Sequence, residues 1–159
     1  MSEVNPIDVL KKIYVFEDLN DEQLEKIAKL LKPVKAKEGK TVIKENTKGD
    51  DIFIILDGQV RVSRFINGKE EAITFLNPGD MFGEMAVLGN QERSATIIAH
   101  TDIVMFKFKG KDFKSLLDKD PEIGFHVYKK MAQTLSKRLK DLDKRYHDIL
   151  ALVSMFWKF

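Results

Sequence analysis

The sequence predicts a mainly β fold with flanking helices: an eight-stranded antiparallel β jelly roll, or double-stranded β-helix, with N-terminal helices and one long C-terminal helix. Three observations carry this prediction. Between Lys35 and Phe108 short β-rich segments are separated by turn signals about every eight to twelve residues. No helical pattern interrupts that region, which argues against a parallel α/β sheet. Helical periodicity is confined to the two ends of the chain. On this reading the 159 residues form a single domain in three parts: helices over 1–34, a β-roll over 35–109 and helices over 110–159.

Residues 5–31 read as helical. Val9, Leu10, Ile13 and Phe16 recur at three- and four-residue steps, and Leu24, Ile27, Leu30 and Leu31 do the same. Asn20 caps the second stretch, with Gln23 placed to complete a capping box, and Pro33 ends it. The β-body then begins at Lys35, and Gly39 breaks its first pair of strands.

Ile52-Phe53-Ile54-Ile55-Leu56 is a continuous apolar run between Lys48-Gly49-Asp50 and Asp57-Gly58, as expected of a strand buried on both faces. Val60 and Val62 alternate with Arg61 and Ser63, and Asn67-Gly68 then gives the strongest short hairpin signal. The return strand sets Ile73 and Phe75 on one face and Thr74 and Leu76 on the other. Ala95–Ala99 and Ile103–Phe108, around His100-Thr101-Asp102, complete about eight strands, enough for a closed or double-sheet structure.

Lys111–Leu117 makes a short helix. Asp120-Pro121-Glu122 starts the next with a capping carboxylate and a proline in the first turn. Nothing breaks this helix before about Phe156. Ala132, Leu139, Tyr146 and Val153, with Leu135, Leu142, Ile149 and Phe156 three residues after each, form a heptad stripe among charged residues. So narrow a stripe suits the seam of a parallel homodimer, and packing on its own domain is the alternative. The run Ile149–Phe159 is apolar enough to serve as dimer seam, partner-docking segment or membrane-surface contact.

Composition excludes several classes. The chain is 43% apolar and 33% charged, as in globular proteins, and its net charge of +2 neither requires nor forbids nucleic acid. It has no cysteine, so disulfides and thiolate metal sites are absent. No basic-plus-apolar leader opens the sequence, and no run approaches the roughly 20 apolar residues that span a bilayer. By elimination the expected location is cytoplasmic.

The stretch Asn77–Thr96 reads as the site. Turn signals at Asn77-Pro78-Gly79-Asp80 and Gly89-Asn90 flank a short apolar run, and a lone arginine follows beside small residues. Gly83 allows close backbone approach, and Glu84–Leu88 forms one helical turn whose first N–H groups favour an anion. Arg93 offers a planar fork suited to phosphate, with the Ser94 hydroxyl and the Ala95 amide beside it. Glu84 accepts hydrogen bonds from hydroxyls. An anion with hydroxyls describes a sugar phosphate; the plain alternative is a surface loop closed by a Glu84–Arg93 salt bridge.

Larger blocks recur in order: Phe16-Glu17-Asp18-Leu19 before Leu24, Gly49-Asp50 through Phe53-Ile54-Ile55 to Gly58-Gln59-Val60-Arg61-Val62, then Pro78-Gly79-Asp80-Met81-Phe82-Gly83-Glu84-Met85-Ala86, and finally Gln91-Glu92-Arg93-Ser94-Ala95-Thr96. In these the chain resembles the cyclic-nucleotide-binding domain family of catabolite-activator-like regulators, regulatory subunits of cyclic-AMP-dependent kinases and gated channels. The resemblance makes 79–96 a phosphate-binding cassette. It implies that Glu84 accepts from the ribose 2′-hydroxyl beside the Gly83 backbone, and that Arg93 pairs with the cyclic phosphate. Ser94 and the backbone of Ala86 and Ala95 would help, with Met85 inside the same cassette. Val62, Ile73 and Thr74 align with positions that line the base. The long helix would close over the purine, and Arg138 falls near a base-contact position, although a solvated charge is the simpler reading of Arg138.

The implied ligand is a cyclic nucleotide, cyclic AMP rather than cyclic GMP because Ser94 resembles the bacterial activators, with no metal. Thr74 and Ser94 also suit guanine. The bacterial regulators carry a DNA-binding helix-turn-helix after the long helix, and these residues leave no room for one, so the downstream partner is open. Two rival readings are an interaction module that keeps the fold without binding nucleotide, and an enzyme. For the latter, His100, His126 and His147 are scattered without metal spacing or a nucleophile partner. Met81, Met85, Met131 and Met155 sit at core-like positions, as do Phe106 and Phe108, whose basic neighbours from Lys107 to Lys111 lack an aromatic platform for nucleic acid.

Overall fold

The computed structural model describes residues 5–89 and 92–157; residues 1–4, Asn90, Gln91, Lys158 and Phe159 lie outside the described residues, as does the side chain of Ala86. Three short helical pieces come first: α1 (Pro6–Leu10), a 3-10 turn (Tyr14–Phe16) and α2 (Asp21–Ala28). The expected capping box forms. The Gln23 amide donates to Asn20 Oδ1 at 2.9 Å, and the Asn20 amide donates to Gln23 Oε1 at 3.0 Å, satisfying two otherwise orphaned donors.

Eight strands follow: β1 (Lys32–Ala36), β2 (Thr41–Ile43), β3 (Asp51–Asp57), β4 (Val60–Ile66), β5 (Lys69–Leu76), β6 (Met81–Phe82), β7 (Thr96–Ala99) and β8 (Ile103–Lys109). They form two four-stranded sheets, β1-β8-β3-β6 and β2-β7-β4-β5, with antiparallel pairing throughout. The chain ends in α3 (Gly110–Lys119) and α4 (Pro121–Phe156), whose cap is the Asp120 side chain.

β3 explains its own apolar run. Ile52 and Ile54 face a first core with Phe106, Phe108, Phe113 and the N-terminal helices. Phe53 and Ile55 face a second core between the sheets with Phe82, Ile97 and Met105. A strand sandwiched between two cores has no solvated face, so alternation is lost. Fully burying each such side chain stabilises by about 1.5–3 kcal/mol.

Three expectations about the strands are corrected. The β-body starts at Lys32, not Lys35, and includes Pro33. Proline is tolerated there because β1 is the edge of its sheet, where a missing N–H need not cost a ladder bond. Ser63 is buried rather than outward, because the register shifts between Val62 and Ser63: Val62 faces Thr74 while Ser63 faces Ala72. Ile73 is the extra residue of this bulge, so the clean division of Ile73 and Thr74 onto opposite faces is lost. The Asn67-Gly68 turn does form, with both residues at positive φ (51° and 77°).

α4 is fastened to the body near its start. The Lys130 ammonium pairs with Glu17, lies 3.4 Å from Asp18 and sits 4.5 Å above the Tyr14 ring centroid. Tyr14 Oη donates to Gln133 Oε1 at 3.0 Å. Further along, the heptad side chains stand clear: Leu139 is 60% exposed and Phe156 86%. From Leu139 onward the stripe is exposed, while Leu135 before it is half-buried against the body. Met81 and Met131 are buried as expected, but Met85 and Met155 are exposed, Met85 on a loop turn and Met155 near the end of α4. Among the described residues no helix is long and apolar enough to cross a membrane.

Candidate functional site

A cavity of about 590 Å³ opens between the β2-β7-β4-β5 sheet, the 3-10 turn Glu84–Leu88 and α4, within the usual range of small-molecule pockets of ~300–1,000 Å³. Its residues sort by chemistry. Ile43, Val62, Leu76, Phe82 and Ile97 make an apolar floor. Ile73 and Thr74 both join it, which the bulge in β5 permits. Gly83, Glu84, Met85, Arg93, Ser94 and Ala95 form the polar end, and Arg138, Asp141, Leu142 and Arg145 of α4 overhang it. Ala86 contributes its backbone to the Glu84–Leu88 turn. Among the described residues no group of three or more acidic or histidine side chains is placed to hold a metal ion.

The polar end is built from a fixed point. Phe82 stacks on Phe53 with centroids 5.0 Å apart, which anchors the end of β6. Gly83 then turns the chain at φ +83°, a conformation an L side chain rarely adopts. A Cβ there would lie 2.5 Å from the Asp51 carbonyl oxygen and 3.1 Å from Arg93 Nη1. The turn that follows is a 3-10 helix of only five residues, so its dipole is small and Arg93 supplies most of the positive charge.

Arg93 is 9% exposed. Its Nη2 donates to the Asp51 carbonyl at 2.9 Å and its Nη1 to the Gly83 carbonyl at 3.4 Å. Its own backbone is pinned, the amide donating to Thr47 O and the carbonyl accepting from the Asn46 amide, each at 2.8 Å. Gly49 lies beneath the guanidinium: a Cβ on it would be 3.2 Å from Nη2. Burial is the largest influence on this group and pulls its pKa below the ordinary arginine value, while Asp51 and Asp50 act the other way. An arginine so placed stays charged and keeps donors of its fork for an anion in the cavity.

Glu84 is buried too, but it does not pair with Arg93. Arg138 Nη1 donates to Glu84 Oε1 at 2.6 Å. The Glu84–Arg93 loop closure is therefore not formed, and Arg138 is half exposed while paired with Glu84. This pair also borders a second cavity of about 440 Å³ nearer the start of α4, lined by Tyr14, Met81, Met131 and Leu135 among others. α4 thus meets the Glu84–Leu88 turn at one charged contact between two hollows.

Several lining residues have no local signature in the sequence. Asp141 and Arg145 look like ordinary helix-surface charges, and Gly49, which lies under Arg93 rather than in the lining, looks like a turn residue. Their only signal is spacing: Arg138, Asp141, Leu142 and Arg145 fall three and four apart, on one helical face. His100 packs edge-on against Phe75 and His126 against Phe125, away from this set.

The profile of the family described as Cyclic nucleotide-binding domain matches residues 33–120. A cGMP-dependent protein kinase of Caenorhabditis briggsae is 40% identical over 95 residues, which are 58% of this chain and 13% of that protein. A CRP-like cAMP-activated global transcriptional regulator of Mycobacterium tuberculosis is 25% identical over 144 residues, 90% of this chain and 62% of the regulator. The chain thus spans less than two thirds of either relative's length. Among solved structures, the catabolite activator protein of Thermus thermophilus superposes with a TM-score of 0.74 at 27% identity, covering 86% of this chain and 62% of that one. With more than half of its length matched by that profile, the chain belongs to the cyclic nucleotide-binding domain family.

Proposed function

We propose that this chain is a non-enzymatic sensor that binds a cyclic nucleotide, cyclic AMP in preference to cyclic GMP, and reports occupancy through α4. The observation that carries the reading is the convergence of a buried guanidinium, a buried carboxylate and an apolar floor on one cavity under a helix. Arg93 holds the cyclic phosphate, with the Ser94 hydroxyl and the Ala95 and Ala86 backbone beside it. Glu84, next to Gly83, accepts from the ribose 2′-hydroxyl. Val62, Ile73 and Thr74 line the base, Met85 borders the mouth, and Arg138 reaches the ligand from α4. These groups suit holding a ligand rather than breaking a bond: among the described residues the lining carries the guanidiniums of Arg93, Arg138 and Arg145, the carboxylates of Glu84, Glu92 and Asp141 and the hydroxyls of Thr74 and Ser94, with no cysteine or histidine.

The response of α4 follows from the Glu84–Arg138 contact. A ribose hydroxyl and Arg138 both seek the Glu84 carboxylate, so ligand entry changes what holds the helix. In this reading residues 79–96 are the ligand cassette of a β-roll over 32–109, the helical pieces between residues 6 and 28 support it, and the helices of 110–156 carry the signal to a downstream protein in the cytoplasm. The exposed heptad stripe of α4 supports a homodimer.

The base is the open variable, since the two relatives named above take different nucleotides in their names. Titration calorimetry with cyclic AMP and cyclic GMP side by side tests the proposal. The expected result is one saturable site with cyclic AMP tighter. A second reading, an interaction module that binds neither, is favoured by one observation: Glu84 already has a partner in Arg138. Binding of both weaker than about 1 mM, roughly −4 kcal/mol, would establish that second reading instead.

A further inference from the structure

We infer that the cavity of about 440 Å³ under the start of α4 is a second ligand site, for an uncharged amphiphile: a compact apolar body carrying one carbonyl, hydroxyl or amide head. The site stands without the nucleotide reading of the larger cavity; only its effect on the nucleotide rests on that reading.

The cavity falls within the ~300–1,000 Å³ of small-molecule sites, whereas close-packed interiors leave few voids larger than a water molecule. One side of it is a single helical face, Met131, Thr134, Leu135 and Arg138 at steps of three and four along α4. The N-terminal segment and β6 add Ile13, Val15 and Met81, all buried. Met81 and Met131 are unbranched and polarisable, able to re-pack around an inserted body.

The polar groups decide the charge and the head of the ligand. The lining holds two carboxylates, Asp80 and Glu84, and two cations, Lys137 and Arg138. A ligand with net charge meets as much repulsion as attraction there, and an uncharged one loses least in leaving water. Tyr14 Oη donates to Gln133 Oε1 at 3.0 Å, and Thr134 Oγ1 donates to the Lys130 carbonyl at 3.0 Å. Each group keeps further capacity: the hydroxyl oxygens accept, and the Gln133 amide nitrogen donates. A neutral head that accepts or donates is served at this rim, beside an apolar wall.

The Glu84–Arg138 pair borders this cavity and the larger one alike. A ligand packed under α4, between the anchorage of Lys130 on Glu17 and that pair, stabilises the helix where Arg138 occupies Glu84. A ribose hydroxyl needs the same carboxylate, so the two ligands oppose one another, each by the same factor.

Fluorescence titration of the full chain with prodan, an uncharged naphthyl ketone whose emission shifts to the blue in apolar surroundings, tests the site. One saturable site is expected, and no saturable binding overturns the inference. Leu135→Trp, which fills the cavity, is expected to abolish binding. Gln133→Ala, at an exposed position, is expected to weaken it roughly two- to tenfold, the scale of one neutral hydrogen bond. This second arm holds even if the tryptophan variant fails to fold. Neither residue lines the larger cavity, so prodan bound by Gln133→Ala, or by a folded Leu135→Trp, as tightly as by the native chain overturns the site. Loss of the signal with Ile149→Asp, on the exposed stripe of α4, overturns it too, by placing the dye on that stripe. Saturating cyclic AMP is expected to weaken prodan about fivefold or more; unchanged prodan affinity beside bound cyclic AMP overturns the opposition. A chain that binds prodan with this variant dependence but no cyclic AMP keeps the second site and overturns the nucleotide reading.

Discussion

Replacing Arg93 with alanine perturbs two quantities that are measured separately. In the free protein the guanidinium caps the Asp51 and Gly83 carbonyls from a nearly closed position. Its removal leaves a buried acceptor short of a donor, a cost of about 1–3 kcal/mol. For a chain of this length each kcal/mol corresponds to roughly 2–4 °C in Tm, so Arg93→Ala is expected to melt several degrees lower and still fold. Binding suffers more. Truncating one side of a buried, hydrogen-bonded charge pair costs about 2–5 kcal/mol, a loss of roughly 30- to several-thousand-fold in affinity for cyclic AMP. Arg93→Lys keeps the charge without the fork and is expected to fall between. Calorimetry well below the melting temperature, with circular dichroism to confirm the fold, reads both effects. A folded Arg93→Ala protein that binds cyclic AMP as tightly as the native chain refutes the assignment of the anion site.

Gly83→Ala places a methyl group 2.5 Å from a backbone oxygen that cannot swing aside, at φ +83°. A stability loss of at least about 2 kcal/mol is expected, together with weakened binding, since the same methyl presses on Arg93; an unchanged melting curve would contradict the geometry. Acid sensitivity is expected in the β4–β5 hairpin. The hydrogen bond from Arg61, then that from Ser63, holds the Glu70 carboxyl below its ordinary value of 4.5. A lowered carboxylate pKa favours the folded state fully above that ordinary value, and the contribution drains away as pH falls through the lower folded value. Protection of the Arg61–Lys69 amides, their exchange relative to the intrinsic rate at each pH, is expected to fall over that acid range, and Glu70→Gln to remove this loss.

Features written in adjacent residues were readable from the sequence. Asn20 with Gln23, Asn67-Gly68 and Asp120-Pro121 each encode a cap or turn through bonds spanning two to four residues, and each forms as expected. The double-sided burial of β3 was equally plain, because a strand between two cores must be apolar on both faces. The start of β1 at Lys32 was not: an edge strand accepts proline, and nothing in the sequence says which strand will be the edge. The bulge at Ile73 was invisible for a related reason, since a register shift belongs to the pairing of β4 with β5 and to neither strand alone.

The same division runs through the site. The sequence alone determined that Gly83, Glu84, Arg93 and Ser94 share one loop, and that α4 carries an apolar heptad stripe, because both are patterns of near neighbours. Tertiary structure decided which charge meets which. Glu84 and Arg93 stand nine positions apart yet do not pair, whereas Glu84 and Arg138, 54 positions apart, do. Arg93 is drawn instead to the carbonyls of Asp51 and Gly83, over a glycine at position 49 that leaves it room. Ion pairs are settled by where the folded backbone leaves each group and how much water remains around it, and neither quantity is a property of a stretch of sequence.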